Sequence, residues 1–175
     1  MSTQKTGTSM YVLATVGFIA LLAWLFSAQI DQRRNPNQDV VTKQLEDGTR
    51  QVVLQRNSGG HYVASGRIND APAEFIIDTG ATDVAVSAEV AAALRRGPAR
   101  PVMTANGQVM SYATRIDRLE LGGIVERDVR ASIVPDMKGI DVLLGMSFLQ
   151  RLDFAQRGQQ LVLERRATGA ADRYR

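Results

Sequence analysis

Hydrophobic positions along this chain fall into two regimes. From Met10 to Ile30 the sequence MYVLATVGFIALLAWLFSAQI carries no charge and shows no polar face. A soluble helix of this length normally displays one. About 20 such residues match the hydrocarbon thickness of a bilayer, and Trp24 and Phe26 sit towards one end, where aromatic rings favour the interface. The pattern predicts a single membrane-spanning helix. Next comes Asp31 to Gln38 (DQRRNPNQ), polar and interrupted by Pro36, which reads as a linker off the membrane.

Beyond it the apolar runs become short. Gln51-Val52-Val53-Leu54, His61-Tyr62-Val63-Ala64 and Ala73-Glu74-Phe75-Ile76-Ile77 have strand length. Turn signals separate such runs at Asp47-Gly48, Ser58-Gly59-Gly60, Asn69-Asp70, Asn106-Gly107 and Gly122-Gly123. Regular short strands with Gly and Asn turns predict a mostly β sandwich or barrel. One segment departs from this. Ser87 is placed to cap a helix from Ala88 to Arg96, closed by Gly97 and Pro98. The tail from Arg166 to Arg175 has little to bury.

Length and charge refine the organisation. With 175 residues there is room for one modest domain plus appendages. The expected division is 1–30 for the N-terminus and anchor, 31–60 for linker and leading hairpin, 61–165 for the main domain and 166–175 for the tail. A cleaved signal peptide is the competing reading of the first segment, but Phe26 obstructs the small-residue cleavage pattern near Ala28. Positive charges (Lys5 before the span, Arg33 and Arg34 after it) weakly favour a domain facing the cytoplasm. The net charge is +3 and the pI about 9.6, from scattered arginines with no basic stripe interleaved with aromatics, so a nucleic-acid partner has little support. Zero cysteines fits either side of a membrane.

The densest chemistry lies in Phe75-Ile76-Ile77-Asp78-Thr79-Gly80-Ala81-Thr82. Three apolar residues deliver a carboxylate to the end of a buried strand, a costly place for an unpaired charge. Two such carboxylates facing each other do not easily both ionise and so share a proton, the arrangement that aspartic proteases exemplify. Asp-Thr-Gly also serves as an ordinary turn. The chain holds no second Asp-Thr-Gly or Asp-Ser-Gly, so a carboxylate pair requires a second copy of the chain. Other hydrolytic constellations lack support. His61 is the only histidine and reads as a strand-face residue; Ser147 lacks both an evident base and the second Gly of a nucleophile elbow. There is no phosphate loop and no cluster of metal ligands, so no cofactor is expected.

Two further segments extend the picture: the Asn-Gly hairpin signal in Thr104-Ala105-Asn106-Gly107-Gln108-Val109, and Val142-Leu143-Leu144-Gly145-Met146-Ser147-Phe148-Leu149 with Arg151-Leu152-Asp153-Phe154 behind it. Together with the Asp-Thr-Gly-Ala turn, and in this order, they resemble the retropepsin-like aspartic proteases, most closely the bacterial branch with one N-terminal membrane helix. The resemblance spans roughly His61 to Glu164.

It implies a small, closed, mostly β barrel working as a homodimeric endopeptidase on peptides in extended conformation, anchored in the bacterial inner membrane and facing the periplasm. Asp78 would be catalytic. Thr79 would lock the two active turns together, Gly80 would let backbones approach, and Ala81 would keep the cleft floor small. Asn106 and Gly107 would tip a flap as a type I′ turn, with Met103 and Met110 on its inner face. Leu143, Leu144 and Gly145 would support the active turn from the core. In the retroviral branch an Asp after the turn's Ala pairs with an Arg after the supporting Gly. Here Thr82 and Met146 stand there, and both charges are absent together. A non-catalytic module that uses the same fold for dimerisation or peptide binding is the rival expectation.

Overall fold

The computed structural model describes residues 3–104, 107–137 and 139–167. Its first element, α1 (Thr3–Arg34), is longer than the apolar run that predicts it. Within it, Met10–Arg34 is long and apolar enough to cross a membrane, and none of that span is buried against the rest of the protein. The helix does not end at Ile30. Asp31 to Arg34 add a last turn, closed by the Asn35 N–H on the Asp31 carbonyl at 2.8 Å. Pro36 then prevents continuation. The segment read as a spacer is therefore a helix end followed by a docked strap, in which Asn35 and Asn37 are buried. Composition signalled polarity; it did not reveal that the amides are spent on the domain rather than on water.

Eleven strands follow: β1 (Thr42–Gln44), β2 (Arg50–Gln55), β3 (Tyr62–Ile68), β4 (Ala71–Ile77), β5 (Val84–Val86), β6 (Ala99–Thr104), β7 (Gly107–Leu121), β8 (Ile124–Ile133), β9 (Val142–Leu144), β10 (Asp153–Arg157) and β11 (Gln160–Arg165). Seven of them form one sheet in the order β3-β4-β9-β5-β8-β7-β6, and β3 pairs again with β7. That second pairing, Arg67 with Glu120 and Ile68 with Leu119, closes the sheet on itself. Closure depends on Gly66. A Cβ there would lie 2.2 Å from the Phe75 ring and 2.3 Å from the Glu120 carbonyl oxygen. Inside the barrel pack Phe75, Ile116, Leu119, Leu121, Ile133, Leu144 and Phe148, all fully buried. The mostly β, closed-barrel expectation holds.

A smaller sheet, β1-β2-β11-β10, is built from the two ends of the domain. Its outer strand β10 is exposed at every residue. Turn chemistry behaves as the sequence indicates. Ile68 pairs with Ala71, and the intervening Asn69 and Asp70 both have positive φ, 45° and 68°, the signature of a two-residue primed hairpin turn.

The helix expected from Ala88 to Arg96 shrinks to one 3₁₀ turn, Val90–Ala93. Its N-cap is Glu89 rather than Ser87 and carries no side-chain cap; Ser87 Oγ accepts only a long bond from the Val90 N–H at 3.4 Å. The chain is then drawn into the sheet, because the Gly97 N–H bonds the Ala113 carbonyl on β7 at 2.7 Å. A second short helix, α2 (Met146–Leu149), arises where the sequence suggested only supporting core.

Candidate active site

Asp78 leaves the end of β4 directly from the barrel interior. Ile77, its predecessor, is buried, whereas Thr79 and Gly80 are exposed. Three bonds fix the carboxylate-bearing residue: the Asp78 N–H donates to the Leu144 carbonyl at 3.0 Å, the Gly80 N–H donates to Asp78 Oδ1 at 2.8 Å, and the Ala81 N–H makes a longer bond to the Asp78 carbonyl at 3.4 Å. A Cβ on Gly80 would stand 3.2 Å from that same oxygen and press on it.

The loop beneath is tied to the turn residue by residue. β9 runs parallel to β4, pairing Leu144 with Ile77 and Leu143 with Ile76. Past the strand end, the Met146 N–H reaches the Ala81 carbonyl at 2.8 Å and the Ser147 N–H reaches the Thr82 carbonyl at 2.9 Å. Gly145 sits between these contacts, where a Cβ would meet the Asp83 carbonyl oxygen at 2.3 Å and that of Ala81 at 2.7 Å. The requirement for glycine is thus one of space. Leu144 is fully buried as core, but Leu143 is half-buried and faces the cleft. Ser147 is buried too; its Oγ accepts the Val84 N–H at 2.9 Å and donates to the Arg130 carbonyl at 2.8 Å, so its hydroxyl is committed to structure.

A cleft of about 1010 Å³ opens beside Asp78, with Gly80, Ala81, Leu143, Val102, Val109 and Ile140 on its walls. A second depression of about 420 Å³, against His61, Tyr62 and Phe154, adjoins Asp78 and Thr79 from the other side. Tyr62 Oη in that wall is buried with no hydrogen-bond partner among the described residues. His61 precedes β3 rather than lying on it and is exposed. No group of His, Cys, Asp or Glu side chains among the described residues is arranged to hold a metal ion.

Over the larger cleft extends the ribbon of β6 and β7. Thr104 pairs with Gly107, so the two-residue connection is 105–106 rather than Asn106-Gly107. Asn106 lies outside the described residues. Gly107 adopts φ 107°, a conformation that suits glycine. Val102 pairs with Val109 and both face the cleft. Met103 borders the cleft as well but is 79% exposed, and Met110, half-exposed, does not line it. The inner face belongs chiefly to the valines because alternation along the paired strands puts the two methionines together on the opposite face.

Sequence reasoning missed Asp83. Its carboxylate accepts Arg100 Nη2 from β6 at 2.9 Å and Arg130 Nε from β8 at 2.7 Å. Arg100 also donates to Ser132 Oγ at 2.7 Å. The ion pair lacking at Thr82 and Met146 thus has a counterpart one residue later. The signal was present in the Ala81-Thr82-Asp83 run, but its partners lie on strands that no local pattern links to it.

Comparison with known proteins agrees with this geometry. The family model described as gag-polyprotein putative aspartyl protease matches residues 64–151. An uncharacterized Sinorhizobium protein is 31% identical over 115 residues, 63% of this chain and 49% of its own length. An uncharacterized protein of Rickettsia prowazekii is 26% identical over 107 residues, 58% of this chain and 45% of its own. The alignments thus take in about half the length of these curated relatives. The crystal structure of a retropepsin-like aspartic protease from Rickettsia conorii superposes with a TM-score of 0.58 at 25% identity, covering 74% of this chain and 97% of that one.

Proposed function

Because this chain belongs to the gag-polyprotein putative aspartyl protease family, we propose that it is a membrane-anchored, homodimeric aspartic endopeptidase. The observation that carries this reading is the placement of Asp78. One carboxylate, rigidly held at the exposed tip of a buried strand, stands between two depressions, and the chain offers no second such turn. A second copy, related by a twofold axis, would supply the other carboxylate and occupy the smaller depression beside Asp78 and Thr79.

Two facing carboxylates hold one proton between them. The ionised one takes a proton from a water lying between the pair, and the oxygen so activated attacks the scissile carbonyl carbon. The protonated one donates to the carbonyl oxygen, giving a tetrahedral diol. Collapse of the diol breaks the C–N bond, a carboxyl proton passing to the leaving nitrogen. No covalent intermediate forms. Thr79 locks the paired turns, Gly80 and Ala81 keep the cleft floor low, and Leu143, Leu144 and Gly145 hold the turn from below. The ribbon ending at Gly107 closes over an extended peptide and excludes water. The α1 span anchors the enzyme in a bacterial inner membrane, and the catalytic domain on the periplasmic side is residues 61–165 together with β1 and β2, of which β2 pairs with β11 and completes its core.

One observation favours a second reading. The 2.8 Å bond from Gly80 to Asp78 Oδ1 is what a simple turn aspartate makes, so the same fold would serve as a non-catalytic peptide-binding module. The test is incubation of the purified protein, native and Asp78→Asn, with an unfolded protein over a range of pH. Cleavage by the native chain that disappears in the variant, with unchanged circular dichroism, is expected. Equal cleavage by both removes the aspartic mechanism. Absence of cleavage with retained peptide binding leaves the binding module.

A further inference from the structure

The last turn of α1 and the strap after it are built into the catalytic domain. Arg33 and Arg34 give their carbonyls to Ser58 Oγ (3.4 Å) and Asn57 Nδ2 (2.8 Å). Asn35 Nδ2 donates to Ser65 Oγ at 3.1 Å and to Glu74 Oε2 at 3.2 Å. Asn37 acts in place of a strand between the two sheets. Its Nδ2 donates to the carbonyls of Gln55 on β2 and Val63 on β3 at 2.9 and 2.6 Å, and its Oδ1 accepts the Gln55 N–H at 2.7 Å. The Ser65 N–H closes the set on the Asn37 carbonyl at 3.0 Å. Buried amides satisfied on every side are rigid attachments.

The attachment reaches the cleft. Arg34 pairs with Glu74 at 3.2 Å and donates to the Gly139 carbonyl at 3.2 Å. Glu74 is itself held, its N–H bonded to Asp141 Oδ2 at 2.9 Å. Gly139 and Asp141 flank Ile140, which lines the cleft along with Val134, Asp136 and Met137. One wall of the substrate site is therefore fastened to the end of the membrane helix. Between Ile30, the last apolar residue of the span, and Arg34 the helix rises only about 6 Å.

We propose that this strap holds the cleft at the bilayer surface, so that the substrates are the membrane-proximal segments of other membrane-inserted proteins. The proposal rests on the proteolytic and anchoring readings above and narrows their substrate class. An extended chain covers up to about 3.5 Å per residue, so the accessible bonds are those within roughly ten residues of the bilayer. A flexible spacer would have allowed a broad band of heights; the strap removes that freedom.

The experiment uses the full chain in phosphatidylcholine–phosphatidylglycerol vesicles, compared with a variant carrying a Gly/Ser insert between Ile30 and Asp31, which leaves every strap contact intact. An insert of about 20 residues adds a mean reach of about 25 Å. Two single-span test substrates display the same unfolded casein segment, one directly outside the bilayer and one beyond a long flexible spacer. Soluble casein is the control for proteolysis itself.

The native chain is expected to favour the proximal substrate by about fivefold or more, and the insert to erase that preference without changing the rate on soluble casein. Equal rates on the two substrates, or a preference that survives the insert, overturns the proposal. A second readout needs no activity. The chain has no cysteine, so a dye on Gly59→Cys, an exposed residue beside the strap, reports its distance to labelled lipid headgroups. Energy transfer should be strong and fall on insertion; unchanged transfer overturns the proposal as well. Failure to cut soluble casein, with transfer behaving as expected, would refute the protease reading and leave the surface-held domain standing.

Discussion

The Asp78 turn and the ribbon of β6 and β7 face each other across one cleft and are built on opposite principles. Beneath the turn, α2 and β9 supply backbone bonds from Leu144, Met146 and Ser147, buried side chains and a glycine with no room for a methyl. Across the cleft, the ribbon's end carries Met103 and Met110 exposed, and an added Cβ on Gly107 meets nothing within 4 Å. The reacting group is over-determined and its cover is not. A carboxylate must be placed to a fraction of an ångström to act, whereas a cover must move to admit a peptide.

The largest effect is expected where the turn is tightest. Gly145→Ala would force a methyl to within 2.3 Å of the Asp83 carbonyl oxygen, a backbone atom that cannot swing aside. Overpacking of this kind costs about 1–3 kcal/mol, and here the upper end applies because two carbonyls converge. Denaturant unfolding measures the loss. A variant of native stability would show that the supporting loop is looser than its bonds indicate, and the contrast between the two regions would dissolve.

How much of this was legible beforehand follows the same division. Strand-length runs and turn pairs predicted a mostly β sandwich or barrel, because local patterning and turn chemistry are short-range properties; the choice of a closed barrel came from the motif resemblance. The Asp-Thr-Gly turn and the Gly145 segment were visible as motifs. What could not be seen were the ties between distant elements. Asp83 meets Arg100 and Arg130 only through the pairing of β5 with β8 and the fold of the ribbon. Asn35 and Asn37 looked like linker residues because polarity in a sequence does not reveal whether an amide faces water or a backbone. The helix at Ala88–Arg96 failed for a related reason. Its propensity was overridden where the chain turns extended at Leu94 (φ −96°, ψ 144°) on its way to the β7 pairing made by Gly97.

An intermediate effect is expected at the joint between the regions. Asp83→Asn keeps the size of the side chain but removes the charge that holds Arg100 on the ribbon and Arg130 on β8. Arg130 is exposed and Arg100 half-buried, so the stability loss should be about 1–2 kcal/mol. Its signature is local. Amide exchange along β6 should quicken several-fold while that of β9 stays unchanged, and KM should rise more than kcat falls. Equal quickening in both strands would make Asp83 a general structural residue rather than the link between turn and ribbon.

The smallest loss of stability is expected at the ribbon's tip, and it tests the flap most directly. Gly107 adopts φ 107°, which a β-branched residue strongly resists, yet a Cβ there would meet open space. Gly107→Val should therefore distort the hairpin locally without disturbing the core, costing about 1 kcal/mol or less in the global unfolding free energy because the added side chain displaces no packed neighbour. Turnover of a peptide the native protein cleaves should fall much further than that figure suggests, since a misdirected tip closes poorly even when Val102 and Val109 remain in place below it. The measurement is a pair, thermal midpoint and hydrolysis rate on the same preparation. A large drop in midpoint with near-native turnover would assign Gly107 to the scaffold, and the cover of the cleft would have to be sought in the loop of Asp136 and Met137 on its other wall.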